Sequence, residues 1–90
     1  MVGIGQYVRA ILVDGIAAAL PATEGFEAQL ERNGVVTDIR RDSGTIRVED
    51  IFGNEHLCHS ESAVAMDVSA LDEFIRIWVR KRARELGVIK

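Results

Sequence analysis

Apolar residues near the C-terminus recur at steps of three and four: Leu71, Phe74, Ile75, Trp78, Val79, Ala83 and Leu86. That is the period of a helix with one apolar side. Asp67 and Ser69 both offer an N-cap. Asp67 lets Met66 pack onto Leu71, while Ser69 forms a capping box with Asp72. Gly87 predicts a left-handed stop, with Val88 folding back on the last turn. Asp72 and Glu73 near the start, and Arg82 and Arg84 near the end, suit the helix dipole. A long C-terminal helix is therefore expected over 67–87, with the rest of the chain organised around it.

The same period runs through Ile4, Tyr7, Val8, Ile11, Leu12, Gly15, Ile16, Ala19 and Leu20, with Gln6, Arg9 and Asp14 on the other side. It predicts an N-terminal helix that Pro21 ends or re-aims. A shorter helix is expected from Ala22 or Thr23 to Arg32, with Phe26 and Leu30 on one face and Asn33-Gly34 as its stop. Residues 1–33 thus read as helical.

From Val35 the period becomes two. Val35, Thr37 and Ile39 alternate with Val36, Asp38 and Arg40, as in a half-buried strand. Asp42-Ser43-Gly44 supplies a turn, and Thr45 to Phe52 a second strand with Ile46 and Val48 on one side. The alternation slips at Asp50-Ile51-Phe52, the mark of a bulge or a strand end. Gly53-Asn54 turns into a third strand over Glu55 to Ser60. Ser60 to Met66 then links to the last helix, with Val64 and Met66 tucked beneath it. The expected fold is α+β, a single domain over 1–90. It comprises a three-stranded antiparallel β-meander at 34–60, an N-terminal helix or helix pair, and the long C-terminal helix packed on one face. In that arrangement Leu71, Phe74 and Trp78 meet Ile46, Val48 and Leu57.

Composition adds little to this picture, but charge adds something. Ninety residues with 48% hydrophobic and 28% charged side chains suit one globular core and exclude global disorder. A single cysteine excludes an internal disulfide framework and suits a reducing compartment. The net charge of −3 hides a polarity. Residues 74–90 hold six basic side chains and one acid, giving +5, whereas residues 1–73 hold five basic and thirteen acidic ones, giving −8. The apolar N-terminal stretch lacks a basic leader and is interrupted by Arg9 and Asp14, so neither a signal peptide nor a membrane span is expected. The chain reads as cytoplasmic.

Few residues offer chemistry. On a strand His56 and Cys58 share a face and His59 points away, so at most two metal-type ligands converge locally. Asp50, Glu55 or Glu61 would be needed to complete a set. A Cys58–His nucleophile pair lacks an orienting third group. Neither Gly3-Ile4-Gly5 nor Asp42-Ser43-Gly44 has phosphate-loop spacing, and the acid pairs Glu49-Asp50 and Asp72-Glu73 diverge on their elements. No cofactor, metal or catalytic residue is expected.

Two charged surfaces remain. Arg76, Arg80 and Arg84, with Lys81 beside them, form a basic ridge along the last helix. Asp38, Asp42, Glu49, Asp50 and Glu55, with Glu61, form the acidic counterpart on the meander. A ridge of this kind docks on an acidic protein groove or follows a phosphate backbone. The expected function is a non-enzymatic protein–protein interaction module, an inhibitor or adaptor, with nucleic-acid binding as the alternative. Compact acidic inhibitors of phages and mobile elements, anti-CRISPR proteins among them, share this size and charge, an analogy that no motif carries. The apolar N-terminal helix offers a route to a homodimer.

Overall fold

The computed structural model describes residues 2–13 and 30–89. Five strands run in chain order: β1 (Tyr7–Ile11), β2 (Glu31–Arg40), β3 (Thr45–Glu49), β4 (Glu55–His59) and β5 (Val64–Ala65). A helix, α1 (Glu73–Glu85), follows them. All strand pairs are antiparallel, in the spatial order β4-β3-β2-β1-β5. The class is still α+β, but the sheet has five strands rather than three.

The largest correction lies at the N-terminus. The helix expected from Ile4 onward is a turn followed by β1, and β1 lies inside the sheet between β2 and β5. Periodicity misled because both faces of this strand are covered. Val8 and Ala10 face one core cluster and Tyr7 the other, so apolar residues stand on both faces of the strand, with Arg9 exposed among them. A short strand with apolar residues on both faces fits a helical spacing as well. Glu31 and Arg32, expected to end a second helix, begin β2, and Asn33-Gly34 is strand rather than stop. The remainder of both expected helices, residues 14–29, lies outside the described residues.

The sheet rolls up on itself. Two residues of β2 oppose one of β3 between Val36 and Asp38, a bulge that bends and twists the pair. Beyond β1 the chain crosses to the far strand: Leu12 bridges Cys58, and the Val13 amide donates to the Leu57 carbonyl at 3.0 Å. The Ile11 amide donates to Ser62 Oγ at 2.8 Å, tying a short 3₁₀ turn (Ser60–Ser62) to the same strand. Inside the roll lie Val2, Val8, Ala10, Val36, Ile46, Val48 and Cys58, the last four fully buried.

Helix α1 lies on the outer face of the sheet. Val79, Ile75, Trp78 and Leu86 pack with Tyr7 and Val35, joined by Met66, Val68 and Leu71. Trp78 meets Tyr7 edge-on, with ring centroids 6.5 Å apart. The expected contacts of Leu71, Phe74 and Trp78 with Ile46, Val48 and Leu57 are absent among the described residues, since Ile46 and Val48 face into the roll and Leu57 is exposed. Val64 is likewise exposed, in β5, while Met66 does pack beneath the helix.

The helix ends follow local chemistry. Asp72 is the N-cap and accepts from the Phe74 amide at 2.9 Å. Asp67 caps a separate 3₁₀ turn (Val68–Ala70), accepting from both the amide and the hydroxyl of Ser69. At the other end Gly87 has φ 78°, and the Val88 amide donates to the Ala83 carbonyl at 3.0 Å. That six-to-one bond is the Schellman stop anticipated from Gly87-Val88.

Candidate docking surface

The helix turns its two sides to different tasks. Val79 and Ala83 are buried against the sheet. At 100° per residue, Phe74 stands about 140° round the helix from Val79 and Ile77 about 160°. Both point away from the fold: Phe74 is 71% exposed and Ile77 60%. Arg80, Lys81 and Arg84 are exposed on the same side, and Arg76 is half-buried at its edge. Glu73 and Glu85 are exposed there too. The outer face of α1 is therefore an apolar pair within a basic surround.

Sequence reasoning placed Phe74 in the core and passed over Ile77. A signal for Ile77 was present, because its neighbours at three, four and seven residues are Arg80, Lys81 and Arg84. An apolar residue in the middle of a basic ridge is legible from spacing alone.

The basic residues differ in their partners. Arg82 turns inward: its Nε and Nη2 donate to Glu49 Oε2 at 3.0 and 2.6 Å, pinning α1 to β3. Among the described residues Arg76, Arg80, Lys81 and Arg84 are not ion-paired. The Nε of Arg76 is buried and has no hydrogen-bond partner. A buried donor left without an acceptor costs about 1–3 kcal/mol, more when charged. An open groove beside it is lined by Glu73, Arg76, Ile77 and Arg80.

Of the acidic candidates, Glu61 is exposed in the 3₁₀ turn, and the other five are engaged within the fold. Asp38 faces Arg40 at 3.4 Å, and Glu55 faces Arg47 at 3.3 Å. Glu49 holds Arg82, and Asp42 accepts from the Ser43 amide in its turn. Asp50 organises the β3–β4 turn: its Oδ1 accepts from the amides of Phe52 and Asn54, both at 3.0 Å, and its Oδ2 meets His56 Nε2 at 2.8 Å. These groups are spread over two turns and the sheet, so the structure does not gather them into one unpaired patch.

Desolvation raises the Asp50 carboxyl, but the bonds from His56, Asn54 and Phe52 and the His56 charge outweigh it and hold the group below its ordinary value. A lowered folded-state value means that Asp50 stabilises the fold above the unfolded carboxylate value of about 4, and that this contribution is lost as pH falls through the folded one. Denaturant titrations across that acid range are expected to show a shallower loss of stability for Asp50→Asn than for the parent chain. Identical slopes would remove Asp50 from the acid response.

His56, Cys58 and His59 do not converge. Cys58 is fully buried inside the roll, His56 is bound to Asp50, and His59 is exposed. Burial pushes the Cys58 thiol up, and the charge of Arg32 offsets part of that. A thiol so held packs as a small apolar group. Among the described residues no three His, Cys, Asp or Glu side chains are grouped to hold a metal, and no helix is long and apolar enough to cross a membrane. A second depression, lined by Arg47, Glu55, His56 and Leu57, has its charged groups already paired.

Comparison with family models, with curated proteins and with solved structures gave no match. The functional reading therefore rests on the chain's own geometry. Of the N-terminal helix through which a homodimer was expected, residues 7–11 are instead a strand paired on both edges, and residues 14–20 lie outside the described residues.

Proposed function

We propose that this chain is a non-enzymatic protein–protein interaction module, an inhibitor or adaptor, that docks through the outer face of α1. The observation that carries the reading is the exposed pair Phe74 and Ile77 within Arg80, Lys81 and Arg84. Interface centres are enriched in aromatic, aliphatic and arginine side chains, with charge at the rim. The complementary partner presents an apolar cleft edged with acidic residues. Arg82 and Glu49 fix the helix to the sheet, so the surface is preorganised and little ordering cost falls on binding.

Nucleic-acid binding stays as the second reading because Phe74, exposed beside the ridge, offers a face on which a base stacks. Ile77 at the centre of the surface, the acids Glu73 and Glu85 around it, and the chain's net charge of −3 favour the protein partner. Capture from native lysate with nuclease present separates the two. The parent chain is expected to retain one stoichiometric protein that the Phe74→Ser/Ile77→Ser double variant releases and the Leu57→Ser control keeps. Retention by the double variant contradicts the docking surface. Loss of every partner on nuclease treatment, with affinity falling steeply as salt rises, selects the nucleic-acid reading.

A further inference from the structure

We propose that the groove lined by Glu73, Arg76, Ile77 and Arg80 is a carboxylate seat, filled by an Asp or Glu side chain of the docking protein; this rests on the protein-docking reading above. Arg76 and Arg80 are one helical turn apart and both line the groove. The Arg76 Nε is withdrawn from solvent yet has no acceptor. Arginine donors form a planar fork that matches a carboxylate, and such charge-assisted bonds are among the stronger ones. A carboxylate entering the groove bridges the two guanidinium groups, neither of which is ion-paired among the described residues.

The lining also selects the anion. Glu73 places one negative charge on the rim, which penalises a doubly charged phosphate more than a singly charged carboxylate. Ile77 forms an apolar wall suited to the methylene stem of a Glu or Asp side chain. Charge complementarity with the unpaired Arg76 and Arg80 points to an acidic side chain on a protein.

The test is an NMR titration of the arginine Nε–Hε groups of the full chain with acetylated hexaglutamate, with inorganic phosphate as a parallel arm. The Arg76 and Arg80 signals are expected to move together and saturably with the peptide. Those of Arg47 and Arg82, held in internal ion pairs, are expected to stay. Arg80→Gln, an exposed position, is expected to weaken the peptide about tenfold or more, the size of one charge-assisted hydrogen bond. Uniform small shifts of all arginines, or tighter binding of phosphate at Arg76 and Arg80, would overturn the seat. A failed seat leaves partner capture through Phe74 and Ile77 unchanged, so the two results are read separately.

Discussion

Gly34→Ala is expected to cost about 3 kcal/mol or more, a large share of the stability of a chain this size. Gly34 sits in the interior of β2, opposite Val8 and beside β3. A Cβ built on it falls onto the Glu49 carbonyl oxygen, with that carbonyl's carbon 2.7 Å away and Val48 Cγ1 2.8 Å away. The obstacle is backbone, so a rotamer change cannot relieve it. β3 must move, and Glu49 carries the ion pair that pins α1 to the sheet. Glycine within a strand often marks such close backbone approach. Chemical denaturation of Gly34→Ala against the parent chain measures the effect. A loss below 1 kcal/mol, the ordinary cost of a mild strand substitution, would contradict this packing of β2 on β3.

The second large effect separates the two kinds of apolar residue. Ile46 is fully buried inside the rolled sheet, among Val8, Val36, Val48 and Cys58. Ile46→Ala is expected to cost about 2–5 kcal/mol, from lost transfer energy plus an unfilled cavity. Phe74→Ala, although it removes a larger side chain, is expected to stay within about 0.5 kcal/mol of the parent because that ring is mostly in water. Equal losses at the two positions would restore Phe74 to a core and remove the basis for the docking surface.

The contrast shows what was legible in the sequence. β2 from Val35, β3, β4 and both turns between them followed from alternation and from Gly44 and Gly53, which take positive φ in the structure. The C-terminal helix and its Gly87 stop were also legible, because caps act through neighbouring residues alone. The start was less so: Asp67 and Ser69 were the expected caps, but Asp67 caps a 3₁₀ turn that contains Ser69, and Asp72 caps the helix.

What failed depends on contacts distant in sequence. Tyr7 and Val8 are both buried because β1 has the interior on one side and α1 on the other, and no local window contains either partner. β5 has two residues and exists by pairing with Val8 and Arg9. Phe74 was assigned inward by its spacing from Leu71 and Trp78. The burial axis of the helix passes through Val79 and Ala83, which only the packing on Tyr7 and Val35 decides. Of the site, the basic ridge was visible from its spacing of four. Its apolar centre and the orphaned Arg76 donor needed the fold.

Hydroxyl-radical footprinting of the captured complex tests the central claim most directly, because the chain carries two reporters of one chemistry. Phe74 is 71% exposed on the helix, and Phe52 is 87% exposed on the β3–β4 turn. Both rings are expected to oxidise readily in the free protein. In the complex Phe74 is expected to become protected together with Ile77, while Phe52 reacts as before. Protection of Phe52 with Phe74 unchanged would move the interface to the hairpin tip and contradict docking through α1.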